Sequence, residues 1–153
     1  MFALLILTLP TQPNAVRVRV WRALKVLGCA ALRDGAYLLP SANQASFAPI
    51  ADDARQHGGT AMVLKLSPDN HAQRDELLAL FDRRDAYAQW LESVTTLHTS
   101  LATLGETQAR RQWRGVAEAW HALQQIDYFP GDAAVQATSA YDALRQALDA
   151  QFS

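Results

Sequence analysis

Between Phe2 and Leu66 the hydrophobic pattern alternates between short apolar runs and segments with a period near 3.6 residues. The order is β-α-β-β-α-β. Residues 2–9, FALLILTL, form the first run, and Pro10 and Pro13 break the chain behind it. Such a run, eight residues long and bounded by proline, reads as a strand buried on both faces. Asn14 stands as an N-cap, and Val16, Val20, Leu24 and Leu27 share one helical face up to the Gly28 stop. Asp34-Gly35 between two short apolar runs signals a hairpin whose turn takes positive φ angles. A helix over residues 47–57 has Pro49 in its first turn and Phe47, Ile50, Ala51 and Ala54 inward. Thr60–Leu66 is the fourth strand.

This order predicts an α+β fold: a ferredoxin-like βαββαβ domain, followed by an all-helical C-terminal bundle. The expected division is a ferredoxin-like basic lobe over 1–67 and a helical bundle lobe over 68–153 packed on it. In the second lobe, Leu77, Leu78 and Phe81 open an apolar stripe that Ala88, Leu91, Val94, Leu97, Leu101 and Leu104 continue. Asp85 is the expected fresh cap after a break at Arg83-Arg84. Trp113, Val116, Trp120 and Leu123 share a face of the next helix. Asp132 caps a last helix that runs to about Gln151 with Val135, Tyr141, Leu144 and Leu148 inward. The sheet face away from its two helices needs a cover, from a dimer partner or from the C-terminal half.

At 153 residues with 50% hydrophobic and 19% charged residues, the chain buries a core without disulfide or metal staples. The one cysteine, Cys29, forms no internal disulfide and suits core packing in a reducing, cytoplasmic setting. No Lys or Arg precedes the apolar N-terminal run, which is also too short for a membrane span. The expectation is no membrane association. Net charge is −1, yet residues 1–66 hold seven bases against three acids and residues 67–153 seven against twelve. A split of this kind hints at an anionic partner for the first half.

The cations concentrate on the first helix. Arg17, Trp21 and Lys25 follow at i, i+4 and i+8, with Arg19 and Arg22 beside them and Arg33 on the hairpin. No acid occurs before Asp34. Unpaired like charges repel, so the stripe is read as counter-charge for phosphates or an oxyanion, with Trp21 as a supporting aromatic. The solvated-face alternative is an exposed helix whose acids lie elsewhere in the fold. Arg110, Arg111 and Arg114 read differently, as a salt-bridged surface with Glu106–Arg110 and Arg114–Glu118 pairs. No two of His57, His71, His98 and His121 stand at helical ligand spacing, so no metal site is expected. Asp52-Asp53 and Asp75-Glu76 are adjacent pairs that diverge on a helix. No catalytic residues and no cofactor are expected, and the chain is read as a non-enzyme.

Leu9-Pro10-Thr11, Arg17-Val18-Arg19-Val20-Trp21-Arg22, Leu27-Gly28 and Leu32-Arg33-Asp34-Gly35-Ala36-Tyr37-Leu38-Leu39-Pro40 together resemble the opening of the ChrB family of chromate resistance proteins. Weaker matches run through Gly58-Gly59-Thr60-Ala61, Leu80-Phe81-Asp82-Arg83 and Ile126-Asp127-Tyr128-Phe129-Pro130-Gly131. The resemblance covers nearly the whole chain as that family's N-terminal domain. It implies a bacterial, DNA-binding transcriptional regulatory module linked to chromate resistance. The Arg-Trp-Arg helix and the hairpin are also similar to the middle domain of phenylacetate-catabolon repressors. That domain in turn resembles the dimeric, ferredoxin-like nucleases of CRISPR adaptation. Those nucleases carry an aspartate where this chain has Thr8, so nuclease activity is not implied. Full-length family members carry a C-terminal half that looks responsible for sensing chromate, and the resemblance does not extend to that half, so sensing is not expected of these 153 residues. The resemblance therefore leaves three readings. One is a DNA-associated module. Another is a non-DNA-binding interaction domain, a homodimer that docks a separately encoded chromate-sensing half. The third is an oxyanion-binding protein.

Overall fold

The computed structural model describes residues 1–12 and 14–153. They form two compact units, 1–81 and 82–153. The sequence reading drew its line at 67/68, which assigns the first short helix after the sheet to the second lobe. The structure keeps that helix with the sheet, because Phe81 stacks on Phe2 with ring centroids 5.9 Å apart.

Unit 1 contains β1 (Phe2–Thr8), α1 (Asn14–Leu27), β2 (Ala30–Arg33), β3 (Ala36–Pro40), α2 (Ala48–Gln56), β4 (Thr60–Leu66) and α3 (His71–Ala79). The sheet is antiparallel in the order β2-β3-β1-β4, the ferredoxin-like arrangement. Ala3, Leu5 and Leu7 are buried on the helix side with Val16, Val20 and Leu24 of α1 and Ile50, Ala51 and Ala54 of α2. β1 is not buried on both faces throughout. Phe2 is covered at one end, but Ile6 is 43% exposed on the other face.

Local signals place most boundaries. Gly28 takes φ 69° and donates to the Leu24 and Lys25 carbonyls, closing α1. Asn14 is the first helical residue of α1 rather than its cap. Pro13, where a chain break is expected, lies outside the described residues. At the hairpin only Gly35 has positive φ, 82°, so Asp34 does not adopt the mirror turn that the Asp-Gly pair suggests. A bulge between Ala31 and Arg33 absorbs the difference. A 3₁₀ helix, Ser41–Phe47, precedes α2, and no sequence signal was read for it. Asn70 caps α3 by accepting from the Gln73 N–H at 2.8 Å, while Gln73 Oε1 accepts from the Asp69 N–H at 2.7 Å.

Unit 2 contains α4 (Arg84–Ser100), α5 (Glu106–Ile126) and α6 (Asp132–Phe152). Asp82, not Asp85, accepts from the Arg84 N–H at 2.9 Å and starts α4. The core stripe of α4 is Tyr87, Trp90, Val94, Leu97 and Leu101, whereas the expected Ala88 is exposed. Leu144 and Leu148 are buried as read, but Val135 is 68% exposed. Trp113 and Trp120 flank Tyr141 at 4.8 and 3.9 Å between centroids. Tyr87 donates to Asp127 Oδ2 at 2.9 Å, and burial pushes its phenol up to about 12.

Candidate functional site

The α1 cations do not form one stripe. Successive residues turn by 100°, and Val16, Val20 and Leu24 fix the buried face. Arg17, Trp21 and Lys25 then fall on one flank, Arg22 points outward, and Arg19 falls on the opposite flank. The structure follows this geometry. Lys25 Nζ sits 4.5 Å from the Trp21 ring centroid, a cation–π contact on a side chain 56% exposed. Arg17 and Arg22 are exposed, and neither has a carboxylate within ion-pair reach among the described residues. Arg17 and Lys25 stand eight residues apart, about 12 Å along the helix axis.

Arg19 departs from the reading of an unpaired cation. It turns toward α2 and meets Asp53 through two parallel hydrogen bonds, Nε to Oδ2 and Nη2 to Oδ1, both 2.8 Å. His57 Nδ1 lies 2.9 Å from the same carboxylate. The Arg19 hydrogen bonds hold the Asp53 carboxyl below the usual carboxylate range, and Asp53 raises the Arg19 guanidinium in return. Arg19 therefore ties α1 to α2 and leaves the cationic set.

Arg33 is also displaced from that set. It stands opposite Ala36, which stands opposite Ile6. Cross-strand partners share a face. Leu7 and Tyr37, on the α1 side, belong to the other alternation. Arg33 is thus exposed on the sheet face away from α1, not beside Arg17 and Lys25.

A cleft of about 270 Å³ opens beside the Arg17–Trp21 flank. Leu7, Leu9, Val18, Val20 and Leu24 make its floor, and Arg17, Trp21, Asp34 and Tyr37 line it as well. Its floor is apolar and its charged groups are Arg17 and Asp34. The hairpin wall is fixed by the Leu7 N–H donating to the Gly35 carbonyl at 2.8 Å. The sequence reading missed both this cleft and the role of Asp53. The only available signal for Asp53 was His57 four residues on, which puts two ionisable groups on one face of α2.

Among the described residues, no group of three or more His, Cys, Asp or Glu side chains is placed to hold a metal ion. Nor is any described helix long and apolar enough to cross a membrane. Cys29 is half-buried, with Sγ 3.5 Å from the Leu24 carbonyl. On α5, Glu106–Arg110 forms at 3.0 Å, while Arg114 and Glu118 do not pair.

Comparison with known proteins gives two matches. The family described as Protein ChrB, N-terminal, matches residues 17–151. Protein ChrB of Cupriavidus metallidurans (strain ATCC 43123 / DSM 2839 / NBRC 102507 / CH34) is 35% identical over 152 residues, which is 95% of this chain and 46% of that protein. The chain thus spans about half the length of this relative. No solved structure matches significantly.

Proposed function

Because this chain belongs to the family of the ChrB N-terminal domain, we propose that it serves chromate resistance as a non-enzymatic, DNA-associated regulatory module. The backbone of DNA is the anion that the first unit engages. The observation that carries this reading is the set Arg17, Arg22 and Lys25 on one 14-residue helix, all exposed and none within ion-pair reach of a carboxylate among the described residues. A span of about 12 Å matches several phosphates of a duplex strand, which advances about 3.4 Å per charge. Trp21 holds the Lys25 ammonium at the surface. The contacts are to the backbone and position the protein rather than read bases.

The test is binding of a fluorescently labelled duplex, measured by anisotropy across a salt series. Three phosphate contacts give a log K against log salt slope of about −2.7 per protomer. Arg17→Ala, Arg22→Ala and Lys25→Ala each reduce its magnitude by about 0.9. Arg19→Ala leaves the slope unchanged, because its charge is already matched by Asp53. Salt-independent binding, or a folded triple alanine variant that binds like the parent, overturns the proposal.

A further inference from the structure

We infer that β4 is a self-pairing edge, through which two copies of this chain join antiparallel into one continuous eight-stranded sheet. The inference stands apart from the DNA reading, since no α1 cation takes part.

The direction of the backbone groups comes first. The Leu7 N–H donates to the Gly35 carbonyl, and the Met1 carbonyl accepts from the Ser41 N–H. Odd-numbered residues of β1 therefore turn toward the β3 side, and even-numbered ones toward β4. The register pairs Leu4 with Leu64 and Ile6 with Met62. Even-numbered residues of β4 thus bond β1, and Ala61, Val63 and Lys65 present their N–H and C=O groups outward. Arg55 confirms the direction independently, donating from Nη2 to the Ala61 carbonyl at 3.0 Å. The outward groups of Val63 and Lys65 have no protein partner among the described residues.

The two sheet edges differ in how they are guarded. β2 has four residues, a bulge and Arg33 near its tip. β4 has seven residues in unbroken register, no proline or glycine, and Lys65 as its single charge. A long, regular, weakly charged edge is a template for another strand. Its free face is apolar as well. Met62 is 56% exposed, Leu64 39%, and Ile6 beside Met62 43%.

The strand is complementary to itself. A two-fold axis through Val63 sets Met62 opposite Leu64 of the second copy and merges the two apolar faces. It also sets Lys65 opposite Ala61 of the second copy. There a groove of about 530 Å³ is lined by Ser41, Ala45, Ala51, Asp52, Arg55 and Val63, and its Asp52 carboxylate is already paired with Arg55 at 3.3 Å, so the incoming ammonium joins a shared carboxylate rather than a free one. The two Lys65 side chains lie at opposite ends of the interface and do not repel.

The mass of the full chain in solution tests this. Sedimentation at micromolar concentration is expected to give twice 16.9 kDa. Val63→Pro removes an outward N–H without costing a bond to β1. Met62→Lys places a charge against the second copy's apolar face. Both are expected to sediment at 16.9 kDa with unchanged far-ultraviolet dichroism. In a Cys29→Ser background, Val63→Cys oxidises to a covalent dimer, whereas Leu32→Cys on the other edge does not. A monomeric parent overturns the inference. So does a dimer that survives both folded variants and fails to cross-link at position 63.

Discussion

Asp53 carries two neighbours on one carboxylate. Arg19 grips it from α1, and His57 approaches it from one turn along α2. Its pKa lies below the ordinary carboxylate value, chiefly through the Arg19 hydrogen bonds. A depressed folded value means that its contribution to stability is complete above the unfolded pKa, about 3.9, and fades as pH falls through the folded one. Asp53→Asn is therefore expected to melt below the parent at neutral pH. The gap should begin to narrow as pH falls below about 4 and close only below the depressed folded value, where the parent's carboxyl protonates too. The pair is partly exposed, so salt should narrow the gap as well. Thermal melts across pH and salt check all three trends. None of this was legible in the sequence, because Arg19 and Asp53 lie 34 positions apart. Helical spacing showed which cations were neighbours, but not which flank would meet α2.

At the scale of elements, punctuation carried most of the information. Gly28, Asp34-Gly35, Pro49 and Gly58-Gly59 mark the ends of segments that the structure builds almost as read. Two of these glycines do more than end a segment. At Gly59 a Cβ would stand 2.4 Å from the Thr8 carbonyl oxygen and 3.0 Å from that of Ala54. At Gly35 it would stand 2.8 Å from the Leu7 carbonyl oxygen, at a φ of 82°. Backbone cannot yield as a flexible side chain does. Gly59→Ala and Gly35→Ala are each expected to cost about 1–3 kcal/mol in denaturant unfolding. Gly105→Ala, with open space around it, serves as the neutral control. The less legible elements had a different cause. The stripe on α4 was drawn through its aliphatic residues, whereas Trp90 is inward because its indole N–H donates to the Val116 carbonyl at 3.0 Å. Only α5 supplies that acceptor. The same holds for the 3₁₀ turn before α2, which carries no residue that marks it.

Over the whole molecule, the division at 81/82 changes what the charge count means. The first unit holds eight bases and six acids, and the second six and nine, so the contrast falls to +2 against −3. The cationic character belongs to α1 rather than to a lobe. The boundary itself rests on Phe81, 1% exposed and stacked on Phe2. Phe81→Ala is expected to cost about 3–5 kcal/mol. Hydrogen exchange should show the loss over β1, β3 and β4 while α4–α6 keep their protection. Loss spread equally over both units would place Phe81 differently. The α+β class and strand order were readable from the first half, since each connection there is short. The helical half was readable as helices but not as a set of faces, because three amphipathic helices admit several rotations until their partners are known.

The contact between Lys25 and Trp21 also equips the molecule with its own optical reporter. Of the four indoles, only this one belongs to the first unit, and a primary ammonium rests on its face. Any polyanion that draws the ammonium away, or stacks in its place, alters that fluorophore's surroundings directly. Occupancy of the helix is therefore visible in the emission of the unlabelled chain.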